Sequence, residues 1–514
     1  MAAFSCLRSS SMSVAPRTCA VSVSKKGLPL LCLRSSRRSS VFRANAVAAP
    51  VAPPSSGASG DDAFAVSRIA TPLTLPQEYW ATQEPAMSAL PAWRQNLDLE
   101  AFGKDMFELE NKLKKEQSQD DVDHLKGVLR FSQFLYAAGI VLAGFCNPLQ
   151  GNVLAAVCLS TAVCARWTMV GHHVCHGGYN RLQKPTERFH RKFFALGPVR
   201  RVIDWLDWMA PEAWDVEHND LHHYKLGETT DPDLLERNTI EMRAGSFGPK
   251  PLRYLIVGAL MAVWKWYYYA PNTLKELYQR SIDRAAAGRP ADRNATGEVP
   301  KVNPFNTGDE PATVLYLTKR LFMPGSFAER VAPTVALAKC CLPYFMANFV
   351  AVPLAFYAAL GPAAGKLALM NMVAMELITN IHSFIIIATN HCGEDVYRFA
   401  TPCRPRSPDF YLRAVIGSVN FDTGAKTNPD GSHKSSGLTG NAVDYVQGWL
   451  NYQIEHHAFP TLSMLAYQKA APQVKAICEK HGVPYVQENV FIRLKKTVDI
   501  MVGNKSMKQW ERGD

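Results

Sequence analysis

Three imidazoles fall within the six-residue stretch His218-Asn219-Asp220-Leu221-His222-His223. On a helix, residues four apart share a face, so the His218 and His222 rings can close on one metal ion. His223 can reach that ion or a second. Taken alone, the stretch fits a solvated surface cluster equally well. It is accompanied by His172-His173-Val174-Cys175-His176 upstream, by His391 in Asn390-His391-Cys392, and by Gln453-Ile454-Glu455-His456-His457 downstream. The pooled candidates are His172, His176, His218, His222, His223, His391, His456 and His457, with Gln453 beside the last pair. They are too many for one metal and suit two. Imidazole nitrogen serves Fe, Zn, Cu or Ni, so ligand type alone does not choose among them. No thiolate set for a structural zinc is present.

The elements that must carry these groups are apolar. The run 128–146 is long enough to cross a bilayer, Asn147-Pro148-Leu149-Gln150-Gly151 turns the chain, and 152–170 is a second run. The runs 331–360 and 363–388 form a second hairpin around Gly361-Pro362, with Pro343 and Pro353 tolerated inside a span. The segment Pro251–Ala270 is apolar too, but Lys265 among Trp264, Trp266, Tyr267, Tyr268 and Tyr269 reads as an interfacial belt. Parity agrees, because the His groups share one side only if an even number of spans separates them. The expected fold is therefore an all-α membrane protein. It has four transmembrane helices in two hairpins, interfacial helices, and a helical cap on one side. Helices are also expected over Leu97–Glu116, with Phe102, Met106, Leu109 and Leu113 on one stripe, and over Ala466–Lys480, whereas Asp283–Gly308 reads as a loop. Glu376, Asn380 and His382 are polar at membrane depth and are candidates for lining a substrate tunnel.

A buried alkyl chain has no acidic proton and no leaving group. Acid–base pairs do little with it, and breaking its C–H bonds calls for activated oxygen and a redox metal. All-imidazole ligation of two irons meets that need.

Residues 1–60 hold no Asp or Glu and are rich in Ser, Ala and Arg. That is the composition of an organelle transit peptide, taken as 1–48 and leaning to the chloroplast, with a mitochondrial or endoplasmic reticulum membrane as the competing address. Residues 49–75 read as a linker, 76–127 as soluble or interfacial helices, 128–492 as the main domain and 493–514 as a tail. The net charge of +11 collects in the leader and beside the apolar runs, which fits an anionic lipid surface, and no nucleic-acid motif accompanies it. The 12 Cys contain no CxxC pair and read as reduced thiols.

Three motifs, His172-x-x-x-His176, His218-x-x-x-His222-His223 and Gln453-x-x-His456-His457, resemble in order and placement the three histidine boxes of the membrane fatty-acid desaturases. The resemblance covers roughly residues 125 to 490. The stretch Leu450–Pro460 is similar to the front-end type, in which Gln replaces the first His of the third box. His391 matches the isolated ligand that this family places after its fourth span. His173 is extra to the pattern and reads as a residue that supports the ligands from behind or that packs. Ala458 stands where the family usually has Leu, which touches packing and not ligation. The resemblance implies a di-iron, O2-dependent enzyme that makes a cis double bond with two outside electrons. Many front-end relatives carry a fused cytochrome b5 domain marked by His-Pro-Gly-Gly. That motif is absent here, so the expected donor is external, reduced ferredoxin in a plastid, docked by Arg181, Lys184, Arg188, Arg191 and Lys192. The expected substrate is an acyl chain on a membrane glycerolipid. The competing readings are a hydroxylase or oxygenase of the same superfamily, acting on an acyl chain, sphingoid base or carotenoid, and a membrane metal-binding or transport protein.

Overall fold

Ser118 starts the membrane layer. In the computed structural model, which describes residues 91–205, 207–289, 301–308, 310–424, 428 and 438–510, its side chain accepts from the first turn while the Asp121 carboxylate accepts its backbone N–H at 2.7 Å. This capping box opens a helix well before the apolar run predicted from 128. The expected leader 1–48, linker 49–75, residues 76–90 and the last four residues of the tail lie outside the described residues, as does 290–300 in the expected loop.

The numbered helices are α1 (Leu99–Glu116), α2 (Gln119–Leu142), α3 (Leu154–Cys175), α4 (211–225), α5 (Lys250–Met261), α6 (Ala270–Ala286), α7 (Val314–Arg320), α8 (Phe327–Leu360), α9 (Pro362–Ile387), α10 (Pro408–Ile416), α11 (Gln453–Ala458), α12 (Met464–His481) and α13 (Val490–Met501). Among the described residues four helices, α2, α3, α8 and α9 with its extension to Asn390, are long and apolar enough to cross a membrane. They are the four expected spans. The first opens early, because its polar opening turns, with Asp120, Asp121, Asp123 and Lys126, are recruited by the cap, and the second runs on past 170 to Cys175, carrying most of box one with it. At α5 the helix has 12 residues, about 18 Å at ~1.5 Å per residue, too short to cross. It exposes Leu252, Tyr254 and Leu255, as a helix lying in the interface should.

Within the bilayer layer, polar side chains tie the hairpins together. The Asn371 amide donates to the Ala143 and Cys146 carbonyls at 2.9 and 2.8 Å, and Thr379 meets Ser160 at 3.1 Å. Unmet carbonyls at a helix end are costly in lipid, so Asn371 both satisfies the end of α2 and fixes α9 against it. Pro343 and Pro353 bracket a wide turn over Met346–Ala351, where the helix absorbs the lost N–H groups.

The cap is built from α1, α4, α10, α11 and α12. The expected stripe of α1 is buried, with Phe102 and Met106 fully inaccessible. Gly103 allows the close approach of α10, since a Cβ there would lie 2.5 Å from Pro408. Two parallel strand pairs, Tyr397–Phe399 with Lys508–Trp510 and Asn420–Phe421 with Gln487–Glu488, stitch the C-terminal segment to the chain that leaves α9. Buried Arg493 on α13 reinforces this by bonding Asp395 and the Cys392 carbonyl. The expected 283–308 loop begins late, because α6 runs on to Ala286.

Candidate metal centre and cavity

Each histidine group is delivered by a helix with an irregular turn. Box one ends α3 directly after a wide turn over Arg166–Gly171, and box two lies inside the wide turn Asp215–His222 of α4. Such a turn inserts a residue and re-aims the side chains on and after it. The third box opens α11 after Gly448 and Trp449, both at positive φ (64° and 59°). A Cβ at Gly448 would stand 2.7 Å from the Thr168 hydroxyl, so glycine allows box three to close onto the α3 turn that carries box one.

The result is two sets of converging nitrogens. One ligand atom from each of His172, His176, His218, His223 and His456 lies within 4.8 Å of all the others, and the same holds for His222, His391 and His457. All eight expected histidines are thus brought together. Gln453 joins the smaller set, its amide nitrogen 2.8 Å from His391 Nε2 and 3.2 Å from His457 Nε2. Turning the amide over presents Oε1, which otherwise has no partner, to the same point.

Backbone and side-chain acceptors choose which nitrogen faces inward. Thr168 O takes His172 Nδ1–H at 3.1 Å, Gly417 O takes His391 Nδ1–H at 3.2 Å, and Asp231 Oδ1 takes His222 Nδ1–H at 2.9 Å. Tyr467 spends its own proton on Phe459 O and so accepts His456 Nδ1–H at 3.3 Å. Each leaves an Nε2 lone pair pointing at the cluster. His172 Nε2 and His218 Nε2 consequently face each other at 2.9 Å, and the inward nitrogens of His176, His223 and His456 are buried without partners. Orphaned lone pairs of this density are expensive in a protein interior. They fit bound cations.

Electrostatics keep the rings ready. Burial, followed by the neighbouring rings, pushes His176, His218, His223, His391, His456 and His457 well below the usual imidazole value, so they are neutral and able to ligate. His222 differs. Burial lowers it most, but the charge and hydrogen bond of Asp231, together with the charge of Asp233, raise it above the usual value.

Asp231 is the residue that motif reading passed over. It accepts from His222 and from the backbone N–H groups of Gly227 and Asp233, so it fixes both the ring and the loop after it. The available signal was a carboxylate nine residues after a box histidine. Replacing Asp231 with Asn is expected to lower metal affinity about 10–100-fold while the helical circular dichroism stays unchanged; metal retention during graded chelation measures it.

His173 behaves as packing. Its Nδ1 bonds Met169 O at 2.7 Å, its ring meets Tyr467, and it joins neither set.

A cavity of about 750 Å³ ends on His172, His218, His222, His391 and Gln453 and is walled by Trp167, Trp264, Leu260 and Phe384. That volume lies in the ~300–1,000 Å³ range of pockets that enclose small ligands. Exposed Glu241 and Lys319 also line it. The expected tunnel residues stand elsewhere. Glu376 is buried beside the Lys265–Asp207 ion pair, Asn380 Oδ1 accepts the Lys265 backbone N–H, and His382 bonds Val446 O. None of the three lines the cavity. Phe384, Ile387 and Ala388 are what α9 and its extension present to it, so Asn380 sits one layer behind, holding Trp264 by its carbonyl at 2.9 Å.

Two of the five expected docking cations are consumed internally: Arg188 pairs with Asp204 and Arg191 with Asp215. Arg181, Lys184 and Lys192 stay exposed.

Comparison with known proteins agrees with this geometry. A family model described as fatty acid desaturase matches residues 151–295 and 305–489. The chain is 54% identical over 43 residues to "Fatty acid desaturase 3" of Bos taurus, covering 8% of the chain and 10% of that protein. It is 31% identical over 113 residues to "Delta(5) fatty acid desaturase A" of Dictyostelium discoideum, covering 21% and 22% respectively. It is 26% identical over 129 residues to "NADPH-dependent stearoyl-CoA 9-desaturase" of Mycobacterium tuberculosis, covering 25% and 26%. Each match thus spans a quarter or less of the relative, apart from the last at 26%. No solved structure matches.

Proposed function

This chain belongs to the fatty acid desaturase family, and from that premise we propose that it introduces a cis double bond into the acyl chain of a membrane glycerolipid, using two irons, O2 and electrons from outside. The observation that carries this reading is the convergence of eight imidazoles, seven of them buried, in two all-histidine metal-capable sets at the end of a largely apolar cavity. The expected bounds 128–492 and 493–514 are too narrow for the enzyme domain, because the first span opens at the Ser118 cap and the supposed tail carries α13 and the strand 508–510 packed on the cap.

In this reading the irons supply the oxygen chemistry that an unactivated C–H bond requires. The protein does the rest. His172, His176, His218, His223 and His456 hold one ion, and His222, His391 and His457 with Gln453 hold the other. Asp231, Thr168, Gly417 and Tyr467 hold the ring protons on the outward nitrogens, so no ligand has to turn over on metal binding. Trp167, Trp264 and Phe384 exclude water from the methylene chain and keep it extended against the site. Each double bond consumes one O2, two electrons and two protons and yields two waters.

The acid-free leader 1–48 supports delivery to a plastid, where reduced ferredoxin is the donor and the substrate is a plastid glycerolipid. Expression in a cyanobacterium, with the fatty acids resolved by position and lipid class, tests the proposal. The expected product is lighter by two hydrogens. A product heavier by one oxygen, or an unchanged profile from iron-loaded protein, would refute it.

A further inference from the structure

The two metal-capable sets are approached from two sides. The large cavity meets His172, His218, His222, His391 and Gln453. It meets neither His223 nor His457. Those two rings, one from each set, stack with centroids 4.0 Å apart and planes 6° apart. A separate small cleft reaches both of them, walled by Tyr224, Phe410, Leu226 and Cys403. Tyr224 follows the ligand His223 directly, is 40% exposed, and meets Phe410 at 6.3 Å with the ring planes 29° apart.

This second face is wet and basic. Large apolar side chains are exposed on α5, on α7 and over 321–327, but among the described residues none is exposed between 391 and 445, and α1 exposes only Phe107. The acids bordering the cleft are spent inside the protein. Glu228 and Asp409 face Arg413, Glu110 takes Lys114 and Arg406, and Asp220 takes Arg191 and Arg280. Exposed Arg404 makes no ion pair among the described residues, and half-buried Lys225 acts on Glu228 through its charge without a close ion pair there. Arg406 sits at φ 61°, a conformation that disfavours a side chain, and is held there by its 2.6 Å bond to Glu110. It stands beside Tyr224.

We propose that the cleft at Tyr224, rimmed by Lys225 and Arg404, is where a reduced one-electron carrier protein with an acidic surface docks and passes its electron toward His223 and His457. The inference rests on the desaturase reading, in which two electrons enter per double bond. The acyl chain fills the large cavity, so the carrier needs another way in. Two successive carriers are each oxidised by one electron, and the protons that complete the two waters come from solvent. This places docking on α4 and the 401–407 loop instead of the Arg181–Lys192 segment.

The test uses the full chain, iron-loaded in lipid nanodiscs, with a plant-type ferredoxin and a cytochrome b5 as probes. Binding is read by interferometry at rising NaCl, which requires no turnover. The paired variant Lys225→Glu, Arg404→Glu is expected to weaken binding about tenfold or more and to slow carrier-driven product formation in parallel, whereas product driven by dithionite and a small mediator persists. The pair Arg181→Glu, Lys184→Glu is expected to change binding less than about twofold. The proposal is overturned if neither carrier binds the wild-type chain, if the cleft variant binds as well as wild type, or if the loss appears only in the Arg181/Lys184 pair. Absence of product under every reductant would instead sink the desaturase reading, and the binding comparison would still decide the docking site.

Discussion

Alanine at His223 or at His456 is expected to leave no detectable double-bond product and to lower bound iron by half or more. Both residues belong to the five-membered set, and both nitrogens of His223 are buried without a protein partner. A protein partner on the inward nitrogen of either ring would have meant that its loss merely opened a cavity. Here the loss removes a donor from a site whose other donors are held for the same point, and the remaining lone pairs face one another as His172 and His218 do at 2.9 Å. Elemental analysis of purified protein gives the iron count, and gas chromatography of total lipid gives the product. The contrast variant is His173→Asn. Its amide can still donate to Met169 O, as His173 Nδ1 does, and His173 lies outside both sets. Iron in that variant is expected within about a fifth of wild type, since its removal costs packing alone. Full activity in the His223 or His456 variant, or iron loss in the His173 variant equal to theirs, would contradict the assignment of ligands.

The contrast between those residues shows what can be seen in a chain of letters. The spacing of His218, His222 and His223 is local, and a four-residue helical repeat makes it meaningful without a fold. The apolar runs are equally local, so four spans and the interfacial position of α5 follow from length, belt composition and parity. Asp231 is different. Its importance comes from a loop that folds back on α4, and a carboxylate beside a proline reads as a turn until that closure is known. The start of α2 also depended on a competing rule, because the Ser118–Asp121 capping box outranks the change in hydropathy.

Glu376, Asn380 and His382 fail in an instructive way as tunnel residues. Polarity at membrane depth correctly signals that a side chain needs a partner, but it does not say which partner. Glu376 and Asn380 found Lys265 and its neighbours, on the face of α9 turned from the cavity. His382 found the carbonyl of Val446. Lys265 itself, at 2.9 Å from Asp207 and fully buried, read in sequence as a cation among belt aromatics. The ion pair that buries it is formed by residues far apart in the chain, which no local pattern encodes. Arg188 and Arg191 repeat the lesson, since a basic run reads as a docking surface until its acids are located.

Filling the cavity separates substrate from metal. Ala388 lies in the short turn between α9 and His391 and lines the cavity next to Ile387. Exchanging Ala388 for Trp places an indole in the space the acyl chain would occupy beside the site. The new side chain has empty volume to enter, so its strain is expected below the ~1–3 kcal/mol usual for overpacking a filled core. Product from long acyl chains is expected to fall at least about tenfold, the scale on which steric loss of 1.4 kcal/mol or more in substrate positioning is felt. Bound iron is expected to stay at the wild-type level, because Ala388 bonds no ligand and His391 keeps its Nδ1–H on Gly417 O. Ala388→Val, a smaller insertion, should fall between the two and favour shorter chains. Lipid chromatography alongside iron analysis on the same membranes reads both quantities. An Ala388→Trp enzyme that makes the wild-type product at the wild-type rate would mean that the acyl chain reaches the histidines by another path, and the role given to the cavity would have to be withdrawn even with every ligand in place.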